Sequence, residues 1–316
     1  MRNLVLAAIS SFLRALSLEE LWFLDRALHR RVPGGALYPE HLHYAYWEKQ
    51  ADYWDLIPSP VRPSRKEMEV YRVFWDAVAQ KRRILVLGST PELRDLAAEE
   101  EEARVYVADF SPRMMLEMSK FTRRADPLKE KWVKDNWLEL AFPERFFDVV
   151  LGDLALQQFP PELEGRFLDK VSSLLANHGV FLGRFHFLDD CVRRVGMDSI
   201  ITDALAAALT DREKFSLIKF RVTWLSVDLE KRKLDRRSAS ENFDEFIRAH
   251  RITHRVVRQV SEVLRAHKDS YRDWAPPSED VLMKMLGARF TISGRAVADD
   301  YPDAEYYPLL ALAPLR

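Results

Sequence analysis

From residue 83 to 187 short apolar runs alternate with longer amphipathic stretches, the pattern of βαβ units that build a parallel sheet. The apolar runs predict strands at 84–87, 105–108, 132–133, 148–151 and 180–187. Helices are predicted between them at 91–100, 112–121 and 161–176. Ser111 before Pro112 supplies one helix start, and Pro161 supplies another. Asn177-His178-Gly179 is expected to end the last of these helices. After residue 280 the alternation resumes, with a helix from Ser278 through Leu286 and two strands, 289–298 and 307–313, joined by a polar loop.

The flanking regions read differently. Ser17 and Glu20 form a capping-box pattern ahead of Leu18, Leu21, Trp22, Leu24 and Leu28, a helical stripe stopped by Pro33-Gly34-Gly35. Ser64 and Glu67 form a second capping box, for a helix running through Tyr71, Phe74 and Val78. Residues 188–280 interrupt the βα pattern with charged, helix-like sequence. There Thr210 and Glu213 start a helix whose face is predicted to carry Phe215, Ile218, Val222, Leu225 and Leu229. The chain thus divides into an N-terminal helical cap (1–67), an α/β core (68–187 and 281–316) and a helical insertion (188–280).

Composition narrows the function classes. The 316 residues are 47% hydrophobic and 31% charged with a formal net charge of -1, so the chain is not built to neutralise nucleic-acid phosphates. Cys191 is the sole cysteine, which excludes an intrachain disulfide framework and multi-cysteine metal sites and suits a reducing compartment. Arg14 breaks the apolar run at the start, and no apolar stretch reaches the roughly 18 residues of a membrane span, so a cytoplasmic protein with no membrane partner is expected. His250 and His254 have metal-pair spacing but no glutamate between them, and no metal is expected.

The candidate chemistry lies at the strand ends. RRILVLGSTPELRDLA (82–97) reads as strand, glycine turn and helix, a junction where unpaired N–H groups and the helix dipole meet a backbone that a ligand can approach closely. Asp109 ends the second strand 21 residues after Gly88, at the distance from which a carboxylate accepts hydrogen bonds from both hydroxyls of a ribose. Taken alone, Gly88 reads more readily as a structural turn and Asp109 as a helix cap. The ordered series favours a site: Asp135 follows the third strand in WVKDNW, and Gly152-Asp153 closes the fourth in FDVVLGD, so successive strand ends place Gly or Asp where doubly wound sheets bind ligands.

With the preceding WDLIPSPVRPS (54–64), the glycine motif LGSTPELRDL resembles class I S-adenosylmethionine-dependent methyltransferases, in particular a bacterial subgroup. The resemblance implies an α/β fold with a doubly wound, Rossmann-like seven-stranded sheet whose last strand is antiparallel. It implies S-adenosyl-L-methionine as cofactor, with Gly88, Ser89 and Thr90 at its methionine portion, Asp109 at the ribose, Asp135 and Asn136 at the adenine edge and Asp153 beside the methyl group. Phe110 and Trp137, next to these acids, complete the cofactor set. Val86 stands where the family carries an acid, and Thr90 and Glu92 where it carries glycine; the last two are expected to contact the cofactor by hydrogen bonds or through water.

Methyl transfer from a sulfonium needs alignment above all. Where the acceptor is a hydroxyl or a protonated amine, His186 or Asp153 is the candidate base. Tyr44, Tyr46, Tyr53 and Trp54, in an aromatic-rich stretch, are lid or substrate candidates whose π-faces attract a cation, and core packing is the other reading. Arg62 is a candidate partner for a carboxylate of the cofactor or substrate. The expected activity is methyl transfer to a small-molecule acceptor, in specialised metabolism. Alternatives are an intramolecular cyclase or lyase consuming the same cofactor and a non-catalytic cofactor-binding subunit. Whether the helical extensions dock on the core or form a homodimer is left open.

Overall fold

The computed structural model describes Trp47, Trp54 and residues 57–190, 194–270 and 272–315. The predicted helix after Ser17 and the aromatics Tyr44, Tyr46 and Tyr53 lie outside the described residues.

The first long helix, α1 (Arg65–Asp76), starts with the predicted capping box: Ser64 Oγ accepts from Glu67 N at 3.1 Å, and Glu67 Oε2 accepts from Ser64 N at 2.7 Å. The core then runs β1 (Arg83–Leu87), α2 (Pro91–Ala97), β2 (Arg104–Asp109), α3 (Pro112–Met118), β3 (Lys131–Lys134), β4 (Phe147–Asp153), α4 (Pro161–Leu174) and β5 (Leu175–Arg184). Next come α5 (Met197–Ala206), α6 (Asp211–Trp224), a short hairpin of β6 (Val227–Asp228) and β7 (Lys233–Leu234), α7 (Arg236–Ala249) and α8 (Arg255–His267). The chain returns to the sheet through α9 (Glu279–Gly287), β8 (Phe290–Ala296) and β9 (Leu309–Pro314).

The seven strands lie in the order β3-β2-β1-β4-β5-β9-β8, with β1 to β5 parallel and β9 antiparallel to both of its neighbours. Both faces are covered, which is why the central strands are continuous apolar runs instead of alternating ones. In β1, Ile84 and Val86 pack with Tyr71 and Trp75 of α1 and Leu93 and Leu96 of α2. Leu85 and Leu87 point to the opposite layer, with Phe167 and Leu168 of α4 and Leu286 of α9. This is the period of two expected of a strand buried on both sides.

Several boundaries differ from the sequence expectation: α1 ends at Asp76, short of Val78, α2 at Ala97 and α3 at Met118, and two further shifts lie in α4 and β5. Helix α4 ends at Leu174, and Asn177-His178-Gly179 lies inside β5, where the register against β4 shifts. Glycine is required there because a Cβ at Gly179 would stand 2.8 Å from the Phe147 carbonyl oxygen. Strand β5 also ends at Arg184, so His186 lies two residues beyond it.

Helices α5 to α8 bury an apolar cluster of their own, including Ile200, Ile218, Phe243 and Val257. Bidentate pairs tie this segment to the core. Arg232 grips Glu164 of α4 through two bonds of 2.6 Å, and Arg221 of α6 grips Asp303 at 2.7 and 2.9 Å. Along α6 the predicted face packs on the segment's apolar cluster, with Ile218 and Val222 buried in it and Phe215 and Leu225 partly buried against it; the helix ends at Trp224, so Leu229 lies beyond it. His250 and His254 belong to different ends, His250 following α7 and His254 capping α8, so they share no helical face. Among the described residues no helix is long and apolar enough to cross a membrane.

Candidate functional site

Because β1 connects to β2 on one side while its other neighbour is β4, the loops after β1 and β4 diverge and leave a crevice at the carboxyl edge. A cavity of about 940 Å³ opens there, lined by the strand tips and by α6 and α8 of the helical segment. That volume lies near the top of the range for ligand sites, roughly 300–1,000 Å³, and suits two ligands side by side.

The turn after β1 forms the floor. Gly88 has φ of 89°, a backbone state that costs a residue with a Cβ roughly 1–2 kcal/mol. Its N–H donates to the Ala108 carbonyl at 2.8 Å, and the Trp137 indole N–H donates to the same oxygen at 2.7 Å. The tips of β1 and β2 and the loop after β3 are thereby locked together, with Trp137 against Gly88. Asp109 closes β2 and is 5% exposed. Its Oδ2 accepts from Ser89 Oγ at 2.7 Å and its Oδ1 from the Ser111 N–H at 2.9 Å. Ser111 in turn caps α3 as predicted, its Oγ accepting from Met114 N at 3.2 Å. A carboxylate held at both oxygens has a fixed direction, which is what a ribose-binding acid needs.

The sequence-derived residues fall into groups. Gly88, Ser89, Thr90, Asp109, Phe110, Trp137, Asp153, His186 and Trp54 line the cavity together. Glu92, Asp135, Asn136 and Arg62 are not among its lining residues. Asp135 is buried, with Oδ1 accepting from the Asn136 N–H at 3.0 Å, and Asn136 Oδ1 accepts from Leu138 N at 3.0 Å. Arg62 and Glu92, each read as ligand contacts, pair with one another, so the connector before α1 is pinned to the first turn of α2.

At the tip of β4 the arrangement departs from the expectation of an acid open to a ligand. Asp153 takes a bidentate grip from Arg184, Nε to Oδ1 at 2.7 Å and Nη2 to Oδ2 at 3.0 Å. Arg184 also donates to Glu67 Oε2 at 2.6 Å and to the Pro60 carbonyl at 2.7 Å, and both ion-paired side chains, like that of Glu67, are nearly free of solvent. Tyr301 donates its hydroxyl to Glu67 Oε1 at 2.5 Å, and Tyr71 bridges the strands by donating to Gly152 O and accepting from Arg184 N. Burial pushes the Asp153 carboxyl up to about 6, with the Arg184 charge pulling the other way. Sequence reasoning missed Arg184, Tyr71 and Tyr301 and read Glu67 only as a cap. One signal was available: Arg184 stands alone in the apolar run FLGRFHF, and a charge in a buried strand must be paired.

His186 is buried with its ring stacked on Tyr307, centroids 4.2 Å apart, and its Nε2 has no hydrogen-bond partner among the described residues. Burial, reinforced by the Arg184 charge, lowers its pKa to about 3. The imidazole is therefore neutral at physiological pH and a weak base, unlike the near-neutral base expected from sequence. A stability consequence follows with a definite sign. The folded pKa lies below the unfolded value, so this group's contribution is present above pH 6.5 and is lost as pH falls toward 3. Each unit of acidification in that window costs about 1.4 kcal/mol. In urea unfolding at pH 7 and pH 5, His186→Phe, which keeps a ring on Tyr307, is expected to lose about 2 kcal/mol less than the wild type. Equal losses would show that His186 titrates normally.

The sequence matches no known family profile and no curated protein. Among solved structures, the fold is similar to a Rhodobacter sphaeroides protein named for the Zn-dependent alcohol dehydrogenases (TM-score 0.52, 14% identity, 85% of this chain and 98% of that one). It is also similar to the N-methyltransferase NodS of Bradyrhizobium japonicum in complex with S-adenosyl-L-homocysteine (TM-score 0.49, 13% identity, 86% and 98%). A third is 1,6-didemethyltoxoflavin-N1-methyltransferase of Burkholderia thailandensis (TM-score 0.47, 15% identity, 89% and 92%). At these identities the likeness is one of fold.

Proposed function

We propose that this chain binds S-adenosylmethionine across the carboxyl edge of the sheet and transfers its methyl group to a small-molecule acceptor in the adjoining half of the cavity. The observation that carries this reading is Asp109, fixed by Ser89 and Ser111 beside the positive-φ turn at Gly88, on the floor of a cavity large enough for two ligands. The donor set fits the cofactor: an acceptor-only carboxylate for a ribose diol, a glycine turn leading into a helix start, and the Trp137 indole beside it. The same reading keeps the division into a cap (1–67), a cofactor-binding core (68–187 and 281–316) and a substrate-side insertion (188–280).

When bound, the sulfonium cofactor supplies a methyl group already activated for transfer. The residues of this chain then orient and enclose. Ser89 and Ser111 hold Asp109, and Arg184 holds Asp153 at the tip of β4. Holding nucleophile and carbon in line is worth roughly 7–11 kcal/mol, so no strong base is required. His186, neutral and stacked on Tyr307, shapes the cavity wall.

Two measurements test this. Calorimetry with S-adenosylhomocysteine should show saturable one-to-one binding. Mass spectrometry of the protein incubated with S-adenosylmethionine alone should show the cofactor unconsumed, with S-adenosylhomocysteine formed only once a small-molecule extract is added. Methylthioadenosine without an acceptor would replace this reading by cyclisation or lysis, and tight binding with no turnover by a binding subunit.

A further inference from the structure

The wall of the cavity facing the sheet edge is one stripe of α6: Arg212, Phe215, Ser216, Lys219, Phe220 and Thr223. These positions recur at three- and four-residue spacing, so they share a helical face. The opposite stripe, Leu217, Ile218 and Val222, is buried in the segment's own apolar cluster. On the cavity face, Phe215 also packs against that cluster and Phe220 against the one around Trp224 and Val227, while Lys219 between them belongs to neither.

Lys219 stands out on that face. Its ammonium lies 4.4 Å from the ring centre of Phe220 and 5.8 Å from that of Phe215. Among the described residues it has neither a hydrogen-bond nor an ion-pair partner. The cavity-lining carboxylates are already engaged: Asp211 by Arg255, Glu164 by Arg232, Asp153 by Arg184, and Asp109 by Ser89 and Ser111. The charged group nearest in effect is Arg236, another lining residue and a like charge, whose repulsion adds to burial in lowering the Lys219 pKa to about 8. A half-buried lysine that is repelled by an arginine and has no counter-ion among the described residues is electrostatically incomplete. An anion supplied by the ligand would complete it.

Aromatic side chains share this end with Arg236 and Arg272, which donate to the carbonyls of Arg272 and Gln157 respectively. Trp224 and Trp274 line it with Phe215 and Phe220, and the indole N–H of Trp274 is tied to the Gln157 carbonyl at 3.1 Å. Gln157 Oε1 and His186 Nε2, also on the lining, have no hydrogen-bond partner among the described residues. Such a wall takes a flat ring on its faces. On the reading of the cofactor side given above, we propose that the acceptor is an aromatic compound carrying an anionic group, with that group held by Lys219 and the ring lying among the aromatics of α6 and Trp274.

The test uses the full chain saturated with S-adenosylhomocysteine and, in parallel, without it. Benzoate, phenyl phosphate and the uncharged benzyl alcohol are titrated while tryptophan fluorescence is followed. Benzoate or phenyl phosphate is expected to bind about tenfold or more tightly than benzyl alcohol, in line with a charge-assisted hydrogen bond. The tighter of the two assigns the anion as a carboxylate or a phosphate. Lys219→Met should abolish the preference, while Lys219→Arg should keep it, with thermal unfolding of the Met variant no lower than that of the wild type and S-adenosylhomocysteine affinity unchanged in both. Equal binding of the alcohol, no binding of either anion, or a preference that survives Lys219→Met overturns the proposal. If S-adenosylhomocysteine itself does not bind, the cofactor reading fails, and the titrations without it still decide the anion subsite.

Discussion

Arg184→Met is expected to cost about 3–5 kcal/mol of folding free energy at pH 7, because it leaves Asp153 and Glu67 as buried carboxylates without their shared cation. Urea unfolding measures it directly. The pH dependence identifies the cause. In the wild type the Asp153 pKa is raised to about 6 when folded, above its ordinary value, so the folded protein holds the extra proton. The favourable contribution of this group is fully present at low pH and is lost as pH rises through about 6. Without Arg184 the carboxyl is pushed higher still, so the deficit of the variant should narrow between pH 7 and pH 5. A deficit that stays constant with pH would mean that lost packing of the long side chain, not unpaired charge, dominates. The double variant Arg184→Met with Asp153→Asn should recover part of the loss, since it removes one of the stranded charges.

The second large effect is on ligand affinity. Asp109→Ala should weaken S-adenosylhomocysteine binding by about 1.5–3 kcal/mol, the loss of hydrogen bonds to a charged acceptor. By calorimetry that is roughly a tenfold to hundredfold rise in Kd. Asp109 also accepts from Ser89 and Ser111, so thermal unfolding must be read alongside. Asp109→Asn keeps an acceptor for one of these bonds and should preserve the fold while still impairing binding. Affinity unchanged in both variants would remove Asp109 from the site.

The parallel core was legible because each central strand announces itself as an apolar run and each strand tip carries a residue type with a local reason to be there. Gly88 takes a φ that favours glycine, Ser111 caps a helix, and Asp109 ends a strand. The charge network at Arg184 was not legible in the same way. It gathers residues 67, 153, 184 and 301, and no spacing rule links positions so far apart; the only local trace was one arginine among aromatics. Arg62 and Glu92 show the complementary failure. Each suits a ligand by type, and neither pattern discloses that they meet each other. For α6 the periodicity marked the inward stripe through Ile218 and Val222, yet it could not show that Lys219 beside it lines a cavity.

Helix α6 has two jobs on two sides, and this has a consequence for how the protein can change over generations. The residues that anchor it are leucine, isoleucine and valine on one side, while those that meet a guest lie on the other. A drift in Lys219 would alter what is accepted without loosening the anchor or disturbing Gly88 and Asp109, whereas Phe215 and Phe220 also pack against the apolar clusters. New preferences are thus open to selection in small, separable steps on an unaltered platform.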